Sequence, residues 1–448
     1  MSFYESVGIK MSIVTLVGRP NVGKSSIFNR ILGKRAAIVD DQPGVTRDRL
    51  YGEAEWGGRK MYLVDTGGIM SATEHPFMDL IAKQVDLALD ESDAVIFVID
   101  GRDGVTPTDK EIALKLRRSG KPVVVAMNKL DNSKQEEMIY EAYELGFDHV
   151  IATSAEHNTG FFDIMDTIVS YLPEEDDFDE DSDEIRVTLV GRPNVGKSSL
   201  LNALTGEERS MVSNIAGTTR DVVDSVIEIE GQKYRILDTA GLRKKSKVNN
   251  DLEFYSNVRT YQAIDRCHVA VVLLDATDLL TEQDKRLIGQ VLERGKGLIL
   301  AVNKWDLAPG ENINGDETTK KMIEELPFAK HAPRVFISAK SGRGLNKVPE
   351  LIKKVEENRR RRIPTSELNR FVREVLIFER MPGDGKGHNL KVFYCTQADG
   401  APPAFIFFVN ESELSSKSFR RHLENCIREM ADYTGVPIKI FMRNKQKD

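Results

Sequence analysis

Short apolar runs rich in Val and Ile recur along most of the chain, separated by polar segments of helix length. The first set reads IVTLVG, MYLVDT, AVIFVID and PVVVAMNK, and a second reads RVTLVG, YRILDT, VAVVLLDA and GLILAVNK. Runs that are apolar at successive positions belong to strands buried on both faces, and such strands alternating with helices predict a mainly parallel, doubly wound α/β sheet. The pattern predicts two such sheets. From Ser366 it changes to helix, strand (HNLKVFYCTQ), strand (AFIFFVN), helix (SFRRHLENCIREMADY) and strand (VPIKIFMR), which predicts a smaller α+β domain. Ligands of open α/β sheets bind at the carboxyl ends of the strands, and it is there that the chemistry-bearing motifs begin.

The two sets are copies. GRPNVGKSSIFN from Gly18 returns as GRPNVGKSSLLN from Gly191, an offset of 173 that also carries Thr46 onto Thr219 and Asp65 onto Asp238. NKLD at Asn128 maps onto NKWD at Asn303 with offset 175, and Ser154-Ala155 onto Ser338-Ala339 with offset 184. The growing offset places extra loop residues in the second copy, in the polar stretch PGENINGDETTK. Between the copies, residues 173–184 read PEEDDFDEDSDE, nine acidic residues of twelve. Such a segment repels itself and has too little apolar surface to order, so it is expected to be an extended linker. The second junction is expected near ENRRRRIP, with the last domain beginning about Arg359.

At 448 residues the chain suits three domains, and no apolar run approaches the length of a membrane span. The start, MSFYESVGIKM, lacks the basic-then-apolar order of a secretory signal, so the expectation is a cytoplasmic protein without membrane attachment. Cys267, Cys395 and Cys426 lack zinc-ligand spacing and are expected as small buried apolar residues. The net charge of −7 conceals an asymmetry. From Arg359 onward 17 basic residues face 11 acidic ones, which suits a polyanionic partner.

The spacing G-x-x-x-x-G-K-S occurs at Gly18, Arg19, Pro20, Asn21, Val22, Gly23, Lys24 and Ser25, and again at Gly191, Arg192, Pro193, Asn194, Val195, Gly196, Lys197 and Ser198. Between a strand and a helix this is a phosphate loop, whose amides and helix N-terminus face the anion while the lysine reaches the β- and γ-phosphates. Ser25, Thr46 and Asp65 are the expected Mg²⁺ partners in the first copy, Ser198, Thr219 and Asp238 in the second. D-x-x-G follows as Asp65, Thr66, Gly67, Gly68 and as Asp238, Thr239, Ala240, Gly241, with the amide of Gly68 or Gly241 meeting the γ-phosphate. The groups expected at the reacting phosphate are therefore Lys24, Thr46 and Gly68, and Lys197, Thr219 and Gly241. A hydroxyl and an amide that hold only while the γ-phosphate is present make a switch. Asp131 and Asp306 can accept from the two N–H groups on one edge of guanine, a pattern adenine does not present. Asn128 and Asn303 complete that pocket, Lys129 and Lys304 lie along the ring, and amides near Ala155 and Ala339, after Ser154 and Ser338, are expected at O6. The ligands are GTP and GDP.

These motifs in this order resemble the translation-factor-related GTPases, and two copies followed by a further domain resemble one bacterial family of double Era-like GTPases, Der, also called EngA. The resemblance runs from about Ser12 to Arg443. It implies Ras-like folds for residues 12–172 and 185–357, a K-homology-like domain at 359–444, and a monomer acting in assembly of the large ribosomal subunit, with rRNA and ribosomal proteins as partners. Ile69 and Leu242 stand where Ras-type GTPases keep a water-orienting glutamine. In related GTPases with this change the loop asparagine, here Asn21 and Asn194, helps to hold K⁺, so potassium-stimulated hydrolysis is implied. An RNA-modifying GTPase shares those two traits but would need a cofactor-binding domain that the sequence does not display. In the last domain MPGDGKGHN departs from the G-x-x-G of RNA-clamping K-homology loops. The basic residues Arg359 to Arg362, Arg420, Arg421 and the NKQK tail leave phosphate contact open elsewhere, with a solvated helix end as the alternative for RRRR.

Overall fold

The computed structural model describes residues 11–33, 51–66, 89, 92–130, 139–173, 183–206, 211–214, 224–238, 250–308, 314–374, 381–383 and 388–445, the stretches 211–214 and 250–257 by their backbone alone. The chain divides into two compact units, one centred on Lys10–Asp176, the other on Asp177–Lys245 and Thr260–Asp448. Thr46, Gly67, Gly68, Ile69, Asp131, Thr219, Thr239, Ala240, Gly241, Leu242 and most of the acidic linker lie outside the described residues.

In the first unit the strands β1 (Ser12–Val17), β2 (Tyr51–Trp56), β3 (Arg59–Asp65), β4 (Ala94–Asp100), β5 (Val123–Asn128) and β6 (Val150–Ala152) lie in the order β2-β3-β1-β4-β5-β6. Only β2 runs antiparallel to its neighbour. Every residue of β1, β4 and β5 is buried, which is why those runs are mostly apolar, with Asp100 and Asn128 at the carboxyl ends of β4 and β5. Each Val or Ile so enclosed contributes about 1.5–3 kcal/mol of transfer free energy. Around the sheet pack α1 (Lys24–Leu32), α2 (Pro107–Ser119), α3 (Ile139–Tyr143) and α4 (Phe161–Tyr171).

The second unit repeats the plan with β7 (Ile185–Val190), β8 (Met211–Asn214), β9 (Ser225–Ile229), β10 (Gln232–Ile236), β11 (Val269–Asp275), β12 (Gly297–Asn303) and β13 (Arg334–Phe336). Their order is β13-β12-β11-β7-β10-β9-β8, parallel except for the β8-β9-β10 end. The helices α5 (Lys197–Thr205), α7 (Glu282–Glu293), α8 (Gly315–Glu325) and α9 (Lys347–Arg360) accompany it, as does α6 (Asn250–Arg266) from Thr260 onward. The polar stretch expected as extra loop is partly helix: Asn314 accepts the Asp316 amide and caps α8, which begins at Gly315.

The C-terminal part has the expected order, α10 (Thr365–Glu374), β14 (Val392–Gln397), β15 (Ala404–Val409), α11 (Lys417–Met430) and β16 (Lys439–Asn444). Phe405, Phe407 and Cys395 on the inner face of its sheet pack with Leu368, Phe371, Leu423 and Ile427 from the two helices. This part is seated on the second α/β sheet domain by main-chain bonds, Leu298 N to Gly435 O (2.8 Å) and Gly435 N to His331 O (2.7 Å), and by Asn358 Nδ2 to Thr434 O (3.0 Å).

Of the run Arg359–Arg362, Arg359 alone is buried, while Arg360, Arg361 and Arg362 are exposed at the end of the helix, as in the solvated-helix-end reading. Helix α9 continues through Arg360. Arg359 is 5% exposed and grips Glu356 with two nitrogens, Arg360 joins the same carboxylate, Arg361 donates to Asn358 Oδ1, and Arg362 pairs with Asp399. Cys267 and Cys395 are buried as expected, whereas Cys426 is only half-buried; burial pushes the Cys267 thiol up to about 12.

Candidate nucleotide site

Both phosphate loops leave the carboxyl end of the central strand and close on the first turn of a helix, β1 into α1 and β7 into α5. Lys24 Nζ donates to the carbonyls of Gly18 (2.8 Å) and Arg19 (2.7 Å), and Lys197 Nζ to those of Gly191 (2.6 Å) and Arg192 (2.8 Å), so each lysine spans its own loop. Burial holds both ammonium groups down at about 8, with Asp65 opposing the shift at Lys24. The loops hug the base-recognition strand. A Cβ on Gly23 would stand 2.2 Å from Asn128 Nδ2, and one on Gly196 the same distance from Asn303 Nδ2, each at a φ near 100°. Asn21 and Asn194 take left-handed φ values of 65° and 63°, a conformation asparagine tolerates better than most residues.

Ser25 Oγ donates to Asp65 Oδ2 at 2.5 Å, bringing two hard oxygen groups together at the loop mouth. The Thr66 hydroxyl instead turns inward to the Leu16 carbonyl (2.7 Å). In the second copy Asp238 follows the end of β10 at φ 55°, and its amide donates to Asp224 Oδ1 (3.3 Å).

The asparagines of N-K-x-D are buried and tie three segments together. Asn128 donates to Val22 O (2.9 Å) and accepts from Ala155 N (3.1 Å); Asn303 does the same with Val195 O (2.8 Å) and Ala339 N (3.0 Å). The Ala155 and Ala339 amides thus hold the asparagine side chains in place. Lys129 and Lys304 both sit at positive φ, rare for lysine, and bond Asp100 Oδ2 (2.6 Å) and Asp275 Oδ2 (2.5 Å). Backbone held in such a region costs about 1–3 kcal/mol and collects at functional sites. Asp306 lies at the surface with Oδ1 accepting from Ser338 Oγ (2.7 Å), a bond that holds its carboxyl below the usual range.

Two pairs of residues were not singled out from sequence. Arg19 Nε donates to both oxygens of Asp109 (3.0 and 3.1 Å), and Arg192 Nε to Asp284 Oδ1 (3.0 Å). Each aspartate is fully buried and closes a capping box with Thr106 or Thr281 at the start of α2 or α7. The signal was present as T-x-x-D ahead of a helix in both copies.

Two phosphate loops, each answered by an Asn-Lys pair at the end of a neighbouring buried strand, define a tandem P-loop GTPase. The family described as "50S ribosome-binding GTPase" matches residues 13–129 and 186–304, and "KH-domain-like of EngA bacterial GTPase enzymes, C-terminal" matches 362–443. GTPase Der of Caldicellulosiruptor saccharolyticus is 46% identical over 97% of this chain and 99% of its own; GTPase Der of Desulfitobacterium hafniense is 47% identical over the same shares. The chain belongs to the GTPase Der family. Among solved structures, the G domain of the FeoB iron transporter of T. maritima is 28% identical over 38% of this chain and 98% of its own, with a TM-score of 0.28. No helix among the described residues is long and apolar enough to cross a membrane.

Proposed function

We propose that each G domain binds GTP through the residues assembled above and hydrolyses it with Mg²⁺, and that the double switch serves assembly of the large ribosomal subunit from the cytoplasm as a monomer. The observation that carries guanine recognition is Asp306: a charged carboxylate held by Ser338 on one oxygen, beside the buried Asn303 that links it to the phosphate loop. A site with groups dedicated to N–H donors on the base can reject an analogue lacking them by up to about 10⁴–10⁵.

The paired oxygens of Ser25 and Asp65 suit a hard cation. Ser25, Asp65 and Thr46, and Ser198, Asp238 and Thr219, would hold Mg²⁺, which offsets phosphate charge when bound. Lys24 and Lys197 are aimed along the loops toward the β- and γ-phosphates, and Gly68 and Gly241 would sense the γ-phosphate. Asn21 and Asn194 would hold K⁺, in keeping with the absence of glutamine after D-x-x-G. The ribosomal role is supported by family membership and by the basic C-terminal region.

The test is base exchange. Asp131→Asn with Asp306→Asn should move preference from guanine to xanthine nucleotides, because the new amide donates where the base now offers a carbonyl. Competition titration checks it, and equal wild-type affinity for ATP would refute guanine specificity.

A further inference from the structure

The outer face of the C-terminal sheet carries an aromatic surface that the nucleotide chemistry does not use. Tyr394 pairs across the ladder with Phe408, and Phe408 pairs with Arg443, so one row spans all three strands. The Tyr394 and Phe408 rings stack at 4.3 Å and 15°. On either side of this row the odd positions turn inward: Cys395, Phe407 and Val409 are wholly buried, whereas Tyr394 is 38% exposed. The ladder slips between Val392 and Tyr394, and the extra residue, Phe393, is thereby also turned to solvent, again 38% exposed. Two ammonium groups flank its ring, Lys391 Nζ at 5.7 Å and Lys445 Nζ at 5.3 Å.

Large aromatic rings left in water on a sheet face, with cations at their rim, match what unpaired nucleic-acid bases and their phosphates require. Flat rings stack on bases of any sequence, and the ammonium groups meet the backbone. A protein partner would be served as well by an aliphatic face, but Lys391 and Lys445 beside Phe393, with Arg443 in register with Phe408, favour a polyanion. The loop between α10 and β14 lacks the G-x-x-G spacing, and of Arg359–Arg362 the first is buried against Glu356 while the exposed three pair with Glu356, Asn358 and Asp399.

We propose that this face is a stacking platform for single-stranded RNA, with Tyr394, Phe408 and Phe393 against the bases and Lys391, Lys445 and Arg443 against phosphates. The proposal rests on the ribosomal reading above and adds the surface and the nucleic-acid form it takes.

The test uses the full chain and a short single-stranded RNA carrying 2-aminopurine, whose fluorescence falls when it stacks. Wild type should quench the probe saturably. Tyr394→Ala with Phe408→Ala should abolish the quench and weaken binding roughly 5- to 150-fold, the range for one lost base stack, while Tyr394→Trp keeps both. Lys391→Gln with Lys445→Gln should lower the slope of log affinity against log salt by about 0.7 per lost phosphate contact. Unchanged GTP turnover in each variant shows that the chain still folds. The proposal is overturned if the double alanine variant binds and quenches as wild type does. It is equally overturned if the variant loses ribosomal subunits yet keeps RNA, which would assign the face to a ribosomal protein. If wild type pellets with large subunits and the variant pellets equally, the platform is wrong and the ribosomal reading stands; if wild type does not pellet at all, that reading fails first.

Discussion

Lys24 shows how a phosphate loop weakens a charge that it needs. Lys24 is 5% exposed and donates to two carbonyls of its own loop, and burial holds its ammonium at about 8, as it does that of Lys197. An ordinary lysine stays charged to beyond pH 10, but these start to discharge near pH 8. On the proposed role the triphosphate needs the charged form, so affinity should fall above about pH 8, by up to about tenfold per unit. Calorimetric titration of GTP between about pH 7 and pH 9 checks this; Lys24→Met should bind weakly at the first site and lose the pH response there. Asn21 is the other residue whose role needs a measurement, because its left-handed φ of 65° already accounts for an asparagine in that turn. If it also holds potassium, turnover should be higher in K⁺ than in Na⁺ at equal ionic strength, and Asn21→Ala with Asn194→Ala should erase the difference. Indifference of the wild type to the cation would leave both asparagines as turn residues.

Helix α2 is both a packing element and a brace for the loop. Asp109 accepts from the Thr106 amide (3.0 Å) and hydroxyl (2.7 Å), and the same carboxylate receives Arg19. Asp109→Ala should therefore destabilise the first unit by about 2 kcal/mol, about half from the lost cap and the rest from an arginine that still reaches water. The two tryptophans fall one in each G domain, Trp56 and Trp305, so urea unfolding followed through Trp56 in a Trp305→Phe background isolates the first unit. Asp284→Ala should leave that transition where it was. The capping boxes are written in the sequence, as are the buried strands, since both depend on neighbours a few residues apart. That each box also holds an arginine 90 or 92 positions away is not.

At the scale of the whole chain, the second G domain and the C-terminal part form one compact unit through Gly435, Asn358 and Thr434. A switch can redistribute two arrangements only by the difference in its contacts with each, and a shift from 1:99 to 99:1 takes about 5.5 kcal/mol. Several phosphate contacts could supply that at low salt. The segment LRKKSKV after the second D-x-x-G is strongly basic where the first copy has GIMSATEHPF. We therefore expect stronger pelleting with large ribosomal subunits in a non-hydrolysable GTP analogue than in GDP, with steep salt dependence. Equal pelleting in both nucleotides would break the coupling.

The sequence by itself determined the duplication, the buried parallel strands, the two phosphate loops and the two N-K-x-D motifs at strand ends, because each is a pattern of residue types within a short span that backbone geometry turns directly into shape. It could not determine partners. Arg362 reads as free positive charge until the fold brings Asp399 to it. That the Ala155 and Ala339 amides hold Asn128 and Asn303 emerges only when the fold brings those segments together. Tyr394, Phe408 and Arg443 become one surface only through the register of three strands. Those pairings are settled by which segments the core packs side by side, a choice made by burial over the whole domain and not encoded at any one position.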